Sequence, residues 1–187
     1  MWTGTLSLLD SAIDDNETAT SGDSGRGGGL SLRDLSVASF DASRIARNLT
    51  ESGGGGLYAW GASTVYLLDT ELRDNAAPAG VGGGLLLESA AEVAASDTLF
   101  ARNIAVQGGG IENNGGLVRL GNTTLAENSA IGGTGGALSN SGDFELVHVT
   151  FARNTAALGG AIWSTDLGAP VTQLKNVLFS GNSATSS

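Results

Sequence analysis

The chain has 187 residues, of which 30 are glycine and only 2 proline, and 41% carry hydrophobic side chains; glycine runs at roughly twice ordinary usage, yet enough apolar residue remains to build a core. With 19 acidic against 9 basic residues the net charge is −10, and the cations are scattered, Lys175 being the single lysine, which excludes nucleic acid as a partner because no cluster is present to displace its counterions. Absence of cysteine excludes disulfides, thiolate nucleophiles and Cys-ligated metals, no apolar run nears the ~20 residues of a membrane span, and Met1-Trp2-Thr3-Gly4 opens no secretory signal.

One unit recurs along the chain. An apolar residue, two variable residues and Asn stand at Ile13–Asn16, Ile45–Asn48, Leu72–Asn75, Phe100–Asn103, Leu125–Asn128, Phe151–Asn154 and Phe179–Asn182. Between each pair lies a second motif, Gly-Gly-(Gly or Ala)-(Leu or Ile), ending at Leu30, Leu57, Leu85, Ile111, Leu138 and Ile162. Both recur about every 27 residues and alternate without a miss, which is the mark of a repeat architecture.

Within each unit the first element is a strand. Leu8, Phe40, Leu67, Ala95, Leu120, Leu146 and Leu174 stand eight residues before their asparagines, and Leu6, Ala38, Val65, Val93, Val118, Phe144 and Thr172 stand ten before. Apolar residues two apart predict a strand with one buried face. A turn follows, at the column Asp10, Ala42, Asp69, Asp97, Asn122, His148 and Asn176. The apolar-x-x-Asn element comes next, then the glycine motif, which suits a sharp turn with φ > 0 or a place too tight for a Cβ. Asn113 and Asn140 share a further column, each two residues beyond the glycine-motif apolar residue.

No helical periodicity is sustained, and glycines at this density would cost a helix about 1 kcal/mol each. A Leu-x-x-Leu-x-Leu framework is also missing, so the period predicts a parallel β-helix of about 6–7 coils, with three short strands per coil. Successive coils then stack at ~4.8 Å. Asn16, Asn48, Asn75, Asn103, Asn128, Asn154 and Asn182 become a structural amide ladder, as in stacked cross-β assemblies.

Gly135-Gly136-Ala137-Leu138, Gly159-Gly160-Ala161-Ile162, Phe151-Ala152-Arg153-Asn154 and the stretch from Asn176 to Ala184 resemble the Gly-Gly-Ala-Ile and Phe-x-x-Asn repeats of chlamydial-type polymorphic outer membrane proteins. The resemblance runs the length of the chain and loosens toward the N-terminus, where Ile45 and Leu72 replace Phe. It implies a right-handed β-helix in the passenger of a large bacterial surface protein, extracellular or at the cell surface. The expectation is one domain over residues 1–187, a piece of a longer solenoid in which Met1-Trp2 and Thr185-Ser186-Ser187 are too short to cap the open coils.

Chemistry-bearing residues fall mostly in structural columns. Asp69 and Asp97 sit one coil apart, near the separation a glycosidase pair needs, but in the turn column. His148 shares that column, and nothing like Gly-x-Ser-x-Gly surrounds a serine. Gly53–Gly56 lacks the Gly-Lys-Ser/Thr ending of a phosphate loop. Asn16, Asn48 and Asn122 begin Asn-x-Thr sequons but also occupy columns. No catalytic residues, metal or cofactor are expected.

The strand after the glycine motif offers a recognition surface. Its apolar residue points in, so the next and the third residues point out. Tyr58 and Trp60 should then stand exposed, with Arg33 and Glu88 on neighbouring coils, unless the Glu51–Gly56 segment covers them. Exposed aromatics beside charges suit a glycan or a host or neighbour-cell protein. The sequence therefore predicts a non-enzymatic stalk or adhesin segment without membrane insertion. A polysaccharide lyase or hydrolase and an end-to-end self-associating module are the alternatives.

Overall fold

The computed structural model describes residues 4–19, 25–165 and 172–185. Met1-Trp2 and Ser186-Ser187, which the capping expectation concerns, lie outside them. Every described strand pairs in parallel with its equivalent one coil away, so the chain is an all-β parallel solenoid. Each coil contributes one strand to each of four sheets. The first three sheets hold seven strands each and the fourth holds six. Among the described residues no helix is long and apolar enough to cross a membrane.

Four strands per coil correct the expected three. The strand that was not foreseen follows each asparagine and is short in most coils: Leu49–Thr50, Ser129–Ala130 and Thr155–Ala156 have two residues each, while Ala76–Val81 and Ile104–Gln107 run to six and four. Two residues cannot display an alternation, so periodicity alone does not reveal them.

Register places like residues on like. In the first sheet Leu8 pairs with Phe40, Phe40 with Leu67, Leu67 with Ala95, Ala95 with Leu120, and Leu120 with Leu146. In the second sheet Ile45, Leu72, Phe100, Leu125 and Phe151 form a fully buried ladder facing that one. Phe151 and Phe179 are in register, so their rings stack at 5.1 Å with 9° between planes, close to the ~4.8 Å coil spacing. In the last described coil Leu174, Leu178 and Phe179 are exposed.

Two turn columns bracket the second sheet, both left-handed. The residues six before each asparagine have φ between 46° and 58°, and the non-glycine residues immediately before it have φ between 53° and 60°. Asp and Asn tolerate that region best, which explains their recurrence in the first column. The residue after that column is Ser11, Ser43, Thr70, Thr98 or Thr123 in five coils, and its hydroxyl donates to the carbonyl two residues back at 2.7–2.8 Å. These hydroxyls hold the bend in place.

In the glycine motif the three positions do different work. The first is left-handed, as at Gly108 with φ 57°. The second has no room: a Cβ on Gly109 would lie 2.5 Å from the Gly136 carbonyl oxygen and 2.6 Å from the Ser129 backbone. The third is nearly as tight, a Cβ on Gly110 lying 2.6 Å from the Ala137 carbonyl oxygen, and holds a methyl only where the coil has adjusted, as at Ala137 in the buried core.

Candidate functional site

The asparagine ladder is the most repetitive polar structure in the molecule. Each Oδ1 accepts two hydrogen bonds from the preceding rung, one from its backbone N–H and one from its Nδ2. For Asn103 the donors are Asn75 N at 3.1 Å and Asn75 Nδ2 at 3.0 Å. From Asn48 onward each Nδ2 also donates to a carbonyl of the coil before, as Asn103 does to Leu72 at 2.9 Å, whereas Asn16 donates to Asp14 in its own coil. The ladder runs from Asn16 to Asn182. The rungs from Asn48 to Asn154 are buried, and buried amides are tolerated only when satisfied in this way. Asn113 and Asn140, in register within the fourth sheet, form a second, shorter ladder at 2.7 Å. Asn48, which begins a sequon, has its amide committed inside the ladder.

Directly before this ladder runs a column not read from the sequence: Asp15, Arg47, Asp74, Arg102, Glu127 and Arg153. Its signs alternate, and the coils pair off. Arg47 binds Asp15 with two bonds at 2.7 Å, Arg102 binds Asp74 at 2.7 and 3.0 Å, and Arg153 binds Glu127 at 2.6 and 3.0 Å. The arginines hold the Asp15 and Asp74 carboxyls below the usual range. Alternation of sign every ~27 residues was the available signal.

The proposed recognition residues do converge, but not as expected. In the strand Leu57–Trp60, Leu57 and Ala59 point into the core and Tyr58 points out. Tyr58 is nonetheless only 1% exposed, a correction to the exposed pair foreseen. The Arg26 and Arg33 guanidinium carbons each lie 5.2 Å from its ring centre, in cation–π range. The left-handed Gly54 packs against its Cβ. Gly53, on the same turn, bridges to Val81 on the next coil, where a Cβ on it would meet Leu86 at 2.9 Å. The glycine-rich turns and the Arg26 segment therefore cover this face, and Trp60 alone of the two aromatics remains 37% exposed.

Under the cover lies a network across three coils. The Tyr58 hydroxyl donates to Glu88 Oε2 at 3.0 Å and accepts from Arg26 Nη1 at 3.0 Å, while Arg26 also pairs with Glu88. Burial pushes the Tyr58 phenol up, and the Arg26 bond opposes that. Trp60 is in register with Glu88. Arg33 is exposed and reaches Tyr58 through its ring.

One coil further, Glu112 pairs in register with Leu86 and Ser139. Burial pushes its carboxyl up to about 7, the Glu88 charge adds to the rise, and a hydrogen bond from Ser139 opposes it. Its Oε2 is the buried side-chain oxygen left without a partner among the described residues. Glu112 stands at an outward position of its strand, and its burial under a turn is invisible to strand alternation.

The carboxylates first considered for sugar cleavage occupy turn positions. Asp69 and Asp97 are both left-handed. Asp97 accepts from Ser96 Oγ at 2.7 Å and from Asn122, bonds that hold its carboxyl below the usual range and leave it unsuited to donate a proton. His148 is an exposed turn residue 3.5 Å from Asn176. No cluster of three or more His, Asp or Glu suited to a metal occurs among the described residues.

Residues 148–165 match the family model described as the Chlamydia polymorphic membrane protein repeat. The chain is also 46% identical over 72 residues to a protein named probable outer membrane protein pmp6 from Chlamydia pneumoniae, an alignment covering 35% of this chain and 6% of that protein. The chain therefore matches only a small part of that relative's length. No solved structure matches it. The family model falls on one apolar-x-x-Asn motif and the following glycine motif, from His148 to Thr165, and the polymorphic-membrane-protein repeat thus corresponds here to one asparagine rung plus one glycine turn.

Proposed function

We propose that this solenoid is a non-enzymatic segment of a bacterial surface protein, a stiff stalk whose outer faces present recognition residues to a glycan or to a protein of a host or neighbouring cell. The observation that carries the reading is the coil-to-coil identity of the inside and the variety of the outside. The interior repeats the same ladders over seven strands per sheet, which at ~4.8 Å per coil makes a rod segment about 29 Å long. The outward column of the fourth sheet changes at every coil, through Ser31, Tyr58, Leu86, Glu112, Ser139 and Trp163, and although the turns bury Tyr58, Leu86 and Ser139, Trp60 on the same face stays exposed. The likeness to an outer membrane protein supports the cell surface as the location. Trp60, half-exposed beside Glu88 and Arg33, supplies a flat apolar face edged by charges, a combination suited to sugars and to protein hot spots.

The test is a polysaccharide and glycan panel scored in the same wells for retention and for released reducing or unsaturated ends. Retention without release, lost in Trp60→Ala, is the expected outcome. Released ends would instead place the protein among carbohydrate-active enzymes.

A further inference from the structure

The first sheet carries a feature that the fourth does not. Across four successive coils its outer face sinks into a trough of about 530 Å³. Tyr66 and Leu68, from the strand Thr64–Leu68, wall one side and are 50% and 47% exposed. Ala94 and Gly121 make the floor, where small residues alternate outward on adjacent coils. Val147 and Arg119 close the far side. A contiguous apolar hollow of this kind on a soluble face marks an interaction site.

Charge decides what fits it. Arg119 is held between Glu92 and Glu145, the latter at 3.0 Å from its Nε, so the one guanidinium at the rim is already overbalanced. Asp69 follows Leu68 and Asp97 follows Ser96 at the turn end, both exposed. Asp97 is fixed by its bonds from Ser96 and Asn122. Counting Lys175, in register with Val147 on the next coil, four carboxylates at the trough and just beyond its edge thus stand against two cations, in a chain of net charge −10.

We propose that this trough docks a protein partner through a segment carrying an aromatic or aliphatic anchor flanked by basic residues. The anchor fills the space over Ala94 and Gly121 against the Tyr66 ring, and the flanking cations meet the carboxylate rim. Such complementarity sets partner choice and encounter rate more than raw affinity. The site is separate from Trp60, which lies on another sheet, so the two stand or fall independently.

The test is an amide NMR titration with the blocked pentapeptide Lys-Gly-Phe-Gly-Lys, its Glu-Gly-Phe-Gly-Glu counterpart and cellohexaose. The basic peptide should shift Tyr66, Ala94 and Gly121 while leaving the Trp60 indole unmoved. The acidic counterpart should bind about tenfold or more weaker. Ala94→Ile with Gly121→Val fills the floor without changing charge, and a Cβ at Gly121 meets nothing nearer than 3.9 Å; this variant should lose about tenfold in affinity. The proposal is overturned if millimolar basic peptide leaves these amides unmoved, if the acidic peptide binds equally, or if the shifts centre on Trp60. It is equally overturned if cellohexaose moves the trough and the peptide does not. Should the filled variant fail to fold, the comparison of the two peptides on the unaltered protein still decides.

Discussion

The asparagine turn and the outer face of the fourth sheet are built on the same coils and differ in almost every other respect. Along the turn the same side chain repeats seven times, and every buried amide finds its partners on the neighbouring rungs. Along the face no two successive residues are alike, and Glu112 is left with an oxygen that nothing satisfies. A column of one residue type solves its hydrogen bonding once and applies the solution at every coil. A column of unlike residues must solve it separately each time, through Arg26, Tyr58 and Glu88 in one place and Ser139 in another. In this solenoid, then, uniformity marks scaffold, and heterogeneity marks positions whose packing is settled coil by coil.

The sharpest way to break this contrast is to remove a central rung. Asn103→Ala deprives the Asn75 N–H and Nδ2 of their acceptor and the Leu72 carbonyl of its donor. Buried polar groups left unsatisfied cost about 1–3 kcal/mol each, so a loss of about 3–5 kcal/mol is expected in denaturant unfolding. Asn16→Ala, at a part-exposed rung where water substitutes, should cost clearly less.

Glu112 tests the other side. An isolated glutamate titrates near 4.5, and this one near 7 in the folded protein. Between those values the folded state binds more protons than the unfolded one, so stability is greatest below about pH 4.5, falls as pH rises toward 7, and levels off above. The full difference is about 3 kcal/mol. Glu112→Gln should flatten this slope, stabilising the protein at pH 8 and changing little at pH 4.5, as read from urea midpoints across pH. The depressed carboxyl of Asp74 acts in the opposite direction and only as pH falls through and below its ordinary value, so the two windows do not overlap.

The smallest effect belongs to the charge column. Arg102→Ala removes a bidentate pair with Asp74, but the pair is largely in solvent, where such bridges contribute under about 1 kcal/mol and less in high salt. A melting shift of more than a few degrees would mean that the column acts as a network instead.

Much of this was legible in the sequence, and the pattern of misses is physical. Asn16 to Asn182 and the glycine motifs announced themselves because stacking forces identity at a fixed period. The third sheet escaped because strands such as Leu49–Thr50 are too short to alternate. The Asp15–Arg153 column escaped because alternating charges look like variation unless sign is followed from coil to coil. Tyr58 was assigned outward correctly and exposed wrongly: strand parity gives direction, whereas burial depended on the turns at Gly53 and Gly54 and on Arg26 folding over it. The trough beside Tyr66 needed two small residues on adjacent coils, Ala94 and Gly121, which read as ordinary exposed positions one strand at a time.

The central claim is that the buried asparagine ladder, repeated rung by rung, holds the coils in register. Hydrogen exchange of the asparagine side-chain amides, followed by NMR, tests it most directly. The account predicts that the Nδ2 protons of Asn75, Asn103 and Asn128 exchange orders of magnitude more slowly than those of exposed Asn114. Exchange of all these amides at one solvent-like rate would contradict it.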